Sequence, residues 1–348
     1  MAAIKVLVVD DSLTMRALFS SALERSKEIV VVGAAGNADE AREMIEQLRP
    51  EVVTLDVEMP GMNGIDFLAE IMETKPMPVI MLSTLTHKGG DVSLRALEIG
   101  AVDCFPKPAR ATPDEFEKIS GKLCKLVAAA SKTNVGKKKT DTAEQAKGVV
   151  SNYAYDGVVL GIAGGMGGPD AALALLQRFP ANCPPTILLQ PMDEGLLVPF
   201  GSKLAKAVAP QVKMAADGMP LQEGHIYVAG VASHHVAVDR WPGGVLRLID
   251  RPPVNGVRPS ADMLFATLAK AGGARAGGVV LSGAGTDGAI GIAALAAAGG
   301  CVVAQDPATA LIGEVIEAAQ ARIPGLKTLA PGDIADTLLD RTSFSAAA

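Results

Sequence analysis

Short apolar runs alternate with stretches of helical period along the first 130 residues. Residues 4–9, 29–32, 52–55, 79–82 and 101–105 read as buried strands, and residues 14–25, 38–48, 64–72, 91–98 and 113–130 as helices between and after them. Strands that are apolar throughout belong to a sheet covered on both faces, and regular alternation with helices makes that sheet parallel. Crossovers of this kind are right-handed. The pattern predicts an α/β domain over residues 1–130, built on a doubly wound, five-stranded parallel sheet.

The rhythm breaks at residues 131–153. Lys132, Lys137, Lys138, Lys139 and Lys147 stand there among Thr, Asn and Gln, with almost no large apolar residue. Such a segment buries too little surface to order itself and is expected to be a flexible basic linker. Its lysines are expected to be solvated. From residue 154 the strand–helix alternation returns. Strands are expected at 157–161, 186–190, 225–229, 278–282 and 301–305, with a hairpin at 236–248 around Pro242, Gly243 and Gly244. A second doubly wound α/β domain with an inserted β-hairpin should therefore occupy residues 154–345.

Composition narrows the picture. Aromatic residues make up only 3% of the chain, so both cores must be built from Val, Ile, Leu, Ala and Met. A net charge of −6 argues against a general nucleic-acid binder. Cys104, Cys124, Cys183 and Cys301 are far apart, without metal or redox spacing, and read as small buried hydrophobes in a reducing compartment. No apolar stretch is long enough to span a bilayer. The run at 4–9 is too short for a signal peptide and ends in two aspartates. A cytoplasmic protein is expected.

Candidate chemistry gathers at strand ends. Asp10 and Asp11 close the first strand and Asp56 the third. In a doubly wound sheet, ligands bind at the carboxyl ends of strands, next to a topological switch. Adjacent first and third strands would bring these carboxylates together, where they repel unless a hard cation sits among them. Mg²⁺ suits such a site because it takes carboxylate oxygens and keeps water for a phosphoryl group. Ser83 ends the fourth strand with a hydroxyl, and Lys107, just past the fifth, offers a mobile positive charge. Singly, an aspartate after a strand is most often a helix cap and a lysine most often surface. As a set they point to one phosphoryl site.

This set resembles the response-regulator receiver family, carried by VVDDS (8–12), LDVEMPGMNG (55–64), VIMLST (79–84) and Lys107-Pro108. The resemblance implies a flavodoxin-like fold, phosphorylation of Asp56 by a histidine kinase, a Mg²⁺ site at Asp10, Asp11 and Asp56, and phosphate sensing by Ser83 and Lys107. Cys104 departs from the pattern, standing three residues before the lysine where the family often has an aromatic.

The second domain carries VVLGIAGGMGGPDAALALL (158–176), ILLQPM (187–192), RPSADMLF (258–265), VVLSGAGTDGAIG (279–291) and QDPAT (305–309). Together these resemble the effector domain of chemotaxis protein-glutamate methylesterases, whose members join a receiver, a linker and a Ser/His/Asp hydrolase in this order. The family's serine lies within an Ala-Ser-Thr-Gly-Gly pattern, and Gly165 holds that position here. Its histidine follows a glutamine, where this chain has Pro191. The acid is retained as Asp287, and a family methionine is Ala284. An acyl-enzyme needs an oxygen or sulfur nucleophile and a base. Glycine and proline supply neither.

The expected function is therefore a chemotaxis response regulator under a histidine kinase, with a methylesterase-like domain that acts by binding or competing at methyl-accepting chemoreceptors and needs no cofactor of its own. One alternative is an active methylesterase or glutamine deamidase using displaced groups, for which Ser260, His225, His234 and His235 are candidates. Another is a dinucleotide-binding domain. Gly283 to Gly288 matches G-x-G-x-x-G after a predicted strand, although Asp287 within that turn has the wrong charge for a pyrophosphate.

Overall fold

The computed structural model describes residues 3–83, 87–108, 112–133, 135, 148–150 and 153–341. The chain forms two compact units, 1–142 and 143–348. Much of the expected linker, including Lys137, Lys138 and Lys139, lies outside the described residues, as do the last seven residues.

In the first unit, strands β1 (Ile4–Val9), β2 (Ile29–Ala35), β3 (Val52–Asp56), β4 (Val79–Ser83) and β5 (Asp103–Pro106) form one sheet in the order β2-β1-β3-β4-β5. All the pairings are parallel. The helices are α1 (Leu13–Leu23), α2 (Ala38–Leu48), α3 (Gly64–Thr74), α4 (His87–Ile99) and α5 (Pro113–Ala130). The fifth strand begins two residues later than the sequence suggests. The Ala101 N–H is spent on the Ala96 carbonyl (3.0 Å), so that residue still terminates α4. Val6 to Val9 are fully buried, as continuous apolar strands require. Phe19 and Phe116 meet edge to face (4.8 Å) and join α1 to α5.

The second unit holds a seven-stranded, wholly parallel sheet. Its strands are β6 (Val159–Ala163), β7 (Thr186–Leu189), β8 (Gln211–Met214), β9 (His225–Ala229), β12 (Ala276–Val280), β13 (Cys301–Gln305) and β14 (Thr328–Leu329), in the order β14-β13-β12-β6-β7-β9-β8. The hairpin is β10 (His235–Val238) with β11 (Leu246–Ile249), in antiparallel register from His235–Ile249 to Val238–Leu246. Helices α6 (Gly168–Leu176), α7 (Glu194–Ala207), α8 (Ala261–Gly272), α9 (Ala289–Ala297), α10 (Glu314–Arg322) and α11 (Pro331–Arg341) complete it. β6 starts after the expected 157 because Gly157 has φ +73° and belongs to a turn. β12 ends before Ser282 because that residue's N–H bonds the Gln305 side chain rather than a neighbouring strand (2.8 Å). The edge strands β8 and β14 are additional to the sequence expectation.

Both sheets end their strands in glycine-bearing loops that carry the candidate residues. The β3–α3 loop is the most constrained. A Cβ on Gly64 would lie 1.8 Å from the Asp56 carbonyl oxygen, so this loop folds back onto the end of β3 only with glycine there. Gly64→Ala is therefore expected to destabilise the first unit by roughly 2 kcal/mol. A lowered thermal transition by circular dichroism would show this; an unchanged transition would mean the loop is not held in this position.

Candidate functional site

Because β1 and β3 are neighbours, the acids at their ends converge. One carboxylate oxygen from each of Asp10, Asp11 and Asp56 lies within 4.8 Å of the others. Asp10 and Asp56 are buried and Asp11 is exposed. The Lys107 ammonium sits between the two buried acids, 2.8 Å from Asp10 Oδ2 and 2.7 Å from Asp56 Oδ2. The other oxygens serve the backbone: the Ser12 N–H donates to Asp10 Oδ1 (3.0 Å) and the Glu58 N–H to Asp56 Oδ1 (3.2 Å). Arg16 donates to the carbonyls of Asp10 and Asp11 (2.7 and 3.0 Å) and so fixes the turn that carries both acids. Burial raises the Asp56 pKa above its ordinary value, while the hydrogen bond and charge of Lys107 oppose this. Ser83 is buried at the end of β4, and its carbonyl accepts the Lys107 N–H (2.9 Å).

In the second unit, Gly165 lies in the turn between β6 and α6. Its N–H donates to the Ser282 carbonyl (2.8 Å), and its carbonyl accepts from Gln190 Nε2 (2.9 Å). A Cβ at 165 would stand 3.0 Å from Gly283 Cα, so a side chain there would push on backbone. A Cβ at Gly164 would stand 2.5 Å from Gln190 Oε1. The Gln190 amide thus occupies space that an alanine at 164 would need. The Ser282 hydroxyl donates to the Met166 carbonyl (2.6 Å) and accepts the Ile312 N–H (3.0 Å), tying this turn to the loop before α10.

Asp287 is turned toward the N-terminus of α8. Its Oδ1 accepts from the Ser260 hydroxyl (2.6 Å) and the Asp262 N–H (3.3 Å), and its Oδ2 from the Ala261 N–H (2.7 Å). Asp262 returns the arrangement, accepting from the N–H groups of Gly288 (2.9 Å) and Gly291 (2.7 Å) at the start of α9. The start of α8 thus receives an acid from the loop leading into α9, and the start of α9 an acid from α8. Burial raises the Asp287 pKa, with the Ser260, Ala261 and Asp262 donors opposing it.

His235 is fully buried. Its Nδ1 accepts the Ser260 N–H (3.1 Å), which leaves the ring proton on Nε2, 3.0 Å from the Pro252 carbonyl that it donates to. Both nitrogens are committed to structure. His234 is half-buried and pairs with the hydroxyl of its chain neighbour Ser233 (2.9 Å), and His225 with the Glu223 carbonyl (2.8 Å). Ser260 caps α8, where its hydroxyl faces a carboxylate rather than an imidazole. Burial pushes the Cys183 thiol up to about 12, far from a reactive thiolate.

The glycine-rich turn of the dinucleotide alternative is similarly occupied. The Gly283 N–H serves the Ile312 carbonyl (3.0 Å), that of Gly285 serves Glu314 Oε2 (2.8 Å), and that of Gly288 serves Asp262. The three glycine N–H donors of the motif are thus held by the protein's own acceptors.

The CheB methylesterase family model matches residues 160–338, and that of the response regulator receiver domain residues 6–120. The protein-glutamate methylesterase/protein-glutamine glutaminase of Agrobacterium fabrum is 46% identical over 309 residues, covering 88% of each chain. The chain belongs to this methylesterase family. It is a chemotaxis response regulator with a receiver domain and a methylesterase-family domain. The protein-glutamate methylesterase/protein-glutamine glutaminase 1 of Caulobacter vibrioides is 45% identical over 314 residues, 90% of each chain. The CheB methylesterase catalytic domain of Thermotoga maritima shares the fold of the second unit, with a TM-score of 0.50 at 24% identity over 53% of this chain and 98% of that one.

Asp262, Gln190 and the Ser282 network were not singled out by the sequence pattern. The signal for Asp262 was its place in the first turn of a serine-capped helix. Asp287→Ala is expected to destabilise the second unit by about 2 kcal/mol or more, because buried donors lose their acceptor. Asp287→Asn, which keeps an acceptor oxygen, should cost less. Urea unfolding followed through Trp241, the chain's single tryptophan, reads this unit. Unchanged stability in both variants would contradict a capping role.

Proposed function

We propose that Asp56 accepts a phosphoryl group from a histidine kinase and that the second domain keeps the fold of a methylesterase without its hydrolytic reaction. The receiver reading is carried by the Lys107 ammonium lodged between Asp10 and Asp56, beside Asp11. In transfer, an Asp56 oxygen attacks phosphorus as the bond to the donor's nitrogen, or to the acetate oxygen of acetyl phosphate, breaks. Lys107 stands within reach of the added negative charge, and the Ser83 hydroxyl ends the neighbouring strand as a donor. The carboxylates of Asp10, Asp11 and Asp56 form a hard, all-oxygen donor set that suits Mg²⁺, which when bound would neutralise phosphoryl oxygens.

The loss of hydrolysis rests on Gly165 and Pro191, which the family pattern places at its nucleophile and base. Asp287, the third member, is engaged with α8. Loss of nucleophile and base together removes on the order of 10⁶ in turnover. The domain then acts by binding chemoreceptors or competing for them with an active relative. The working site of this protein is cytoplasmic, beside the kinase and the receptor signalling domains. Among the described residues no helix is long and apolar enough to cross a membrane. An active esterase with displaced groups is the weaker reading, because His235 and Ser260 are fully engaged in capping and backbone bonds.

Incubation with radiolabelled acetyl phosphate and Mg²⁺ is expected to label the full chain in an acid-stable, base-labile form, and Asp56→Asn is expected to abolish the label. Undiminished labelling of Asp56→Asn would move the phosphoacceptor elsewhere.

A further inference from the structure

Ser83 has a second partner besides the phosphoryl site it borders. Its Oγ lies 3.0 Å from Ser93 Oγ on α4, and both side chains are buried. The same turn of α4 is tied to β5 by Cys104, whose thiol donates to the Ser93 carbonyl (3.4 Å). β4, α4 and β5 are therefore joined at one buried point through Ser83, Ser93 and Cys104. Burial holds the Cys104 thiol far above its ordinary pKa, so at neutral pH it remains a proton donor. On its other side Ser83 is coupled to the acidic site, since its carbonyl accepts the N–H of Lys107, whose ammonium pairs with Asp10 and Asp56.

Either hydroxyl of this pair can be the donor; with Ser83 as donor, its single proton cannot serve Ser93 and a phosphoryl oxygen at once. We propose that Ser93 is the resting-state partner of Ser83, a positioning residue that competes with the phosphoryl group for the Ser83 hydroxyl and couples phosphorylation to α4. This rests on the reading of Asp56 as phosphoacceptor. When Ser83 turns to the phosphoryl oxygens, the Ser93 hydroxyl loses a buried partner, and the helix turn that carries it is released from β4 while Cys104 still holds it to β5. A small thiol at residue 104 is what permits this contact to run through the backbone of α4, in place of the aromatic side chain the family pattern often has there. Loss of one buried neutral hydrogen bond sets the size of the competition.

The test uses the full chain with beryllofluoride and Mg²⁺, titrated by calorimetry. Ser93→Ala removes the competitor and is expected to tighten beryllofluoride binding about three- to tenfold, given the net contribution of one such bond. Ser93→Thr keeps the hydroxyl and should bind as the unsubstituted chain does. In a Ser83→Ala background, Ser93→Ala should have no effect, because there is no hydroxyl left to compete for. A purely structural role for Ser93 would instead give the same shift in both backgrounds. Unchanged or weaker binding by Ser93→Ala, or an equal shift in the Ser83→Ala background, overturns the proposal while leaving Asp56 in place. Failure of the unsubstituted chain to bind beryllofluoride at all overturns the Asp56 reading and this inference with it.

Discussion

The second domain depends on where one carboxylate points. Asp287 accepts three hydrogen bonds at the start of α8, and Asp262 on that helix accepts two at the start of α9. Each helix N-terminus carries unsatisfied N–H groups and partial positive charge, and each receives an acid from its neighbour. Leu264, Phe265 and Leu268 on α8 and Ile292 and Leu295 on α9 are fully buried in the same core. The reciprocal caps therefore fix how two core helices sit against each other. Asp287 therefore has a structural role in this chain that is independent of any chemistry.

The glycine-rich turn tells a compatible story. With no side chain at 164 and 165, the Gln190 amide and the Gly283 backbone come close to that turn. A side chain at 165 would require the Gly283 backbone to yield by a few tenths of an ångström. In the receiver, Lys107 balances two buried acids that would otherwise repel. In the second domain the polar groups near Asp287 are engaged in holding the fold.

Much of this was legible in residue order. The acids after the first and third strands could be paired because the strand rhythm implies a doubly wound sheet, and the order β2-β1-β3-β4-β5 brings them together. Ser260 as a cap and the hairpin around Gly243 were legible from local chemistry. The edge strand Gln211–Met214 was not, because one edge of a sheet needs no continuous apolar run, and Gln211 and Lys213 interrupt the pattern. The contacts of Asp287 with Ser260, Gln190 with Gly165 and Ser83 with Ser93 were also illegible. They join residues from different elements, and no periodicity encodes them. The bonds that fix the His235 tautomer likewise come from Ser260 and Pro252, remote in sequence.

Release of methanol from methylated chemoreceptor, with the full chain phosphorylated and unphosphorylated, bears most directly on the account. The rate should stay at the uncatalysed background in both states, beside a serine-bearing relative that turns over in the same assay. Sustained turnover that disappears in His235→Ala or Ser260→Ala would show a working triad built on displaced residues and would contradict the account.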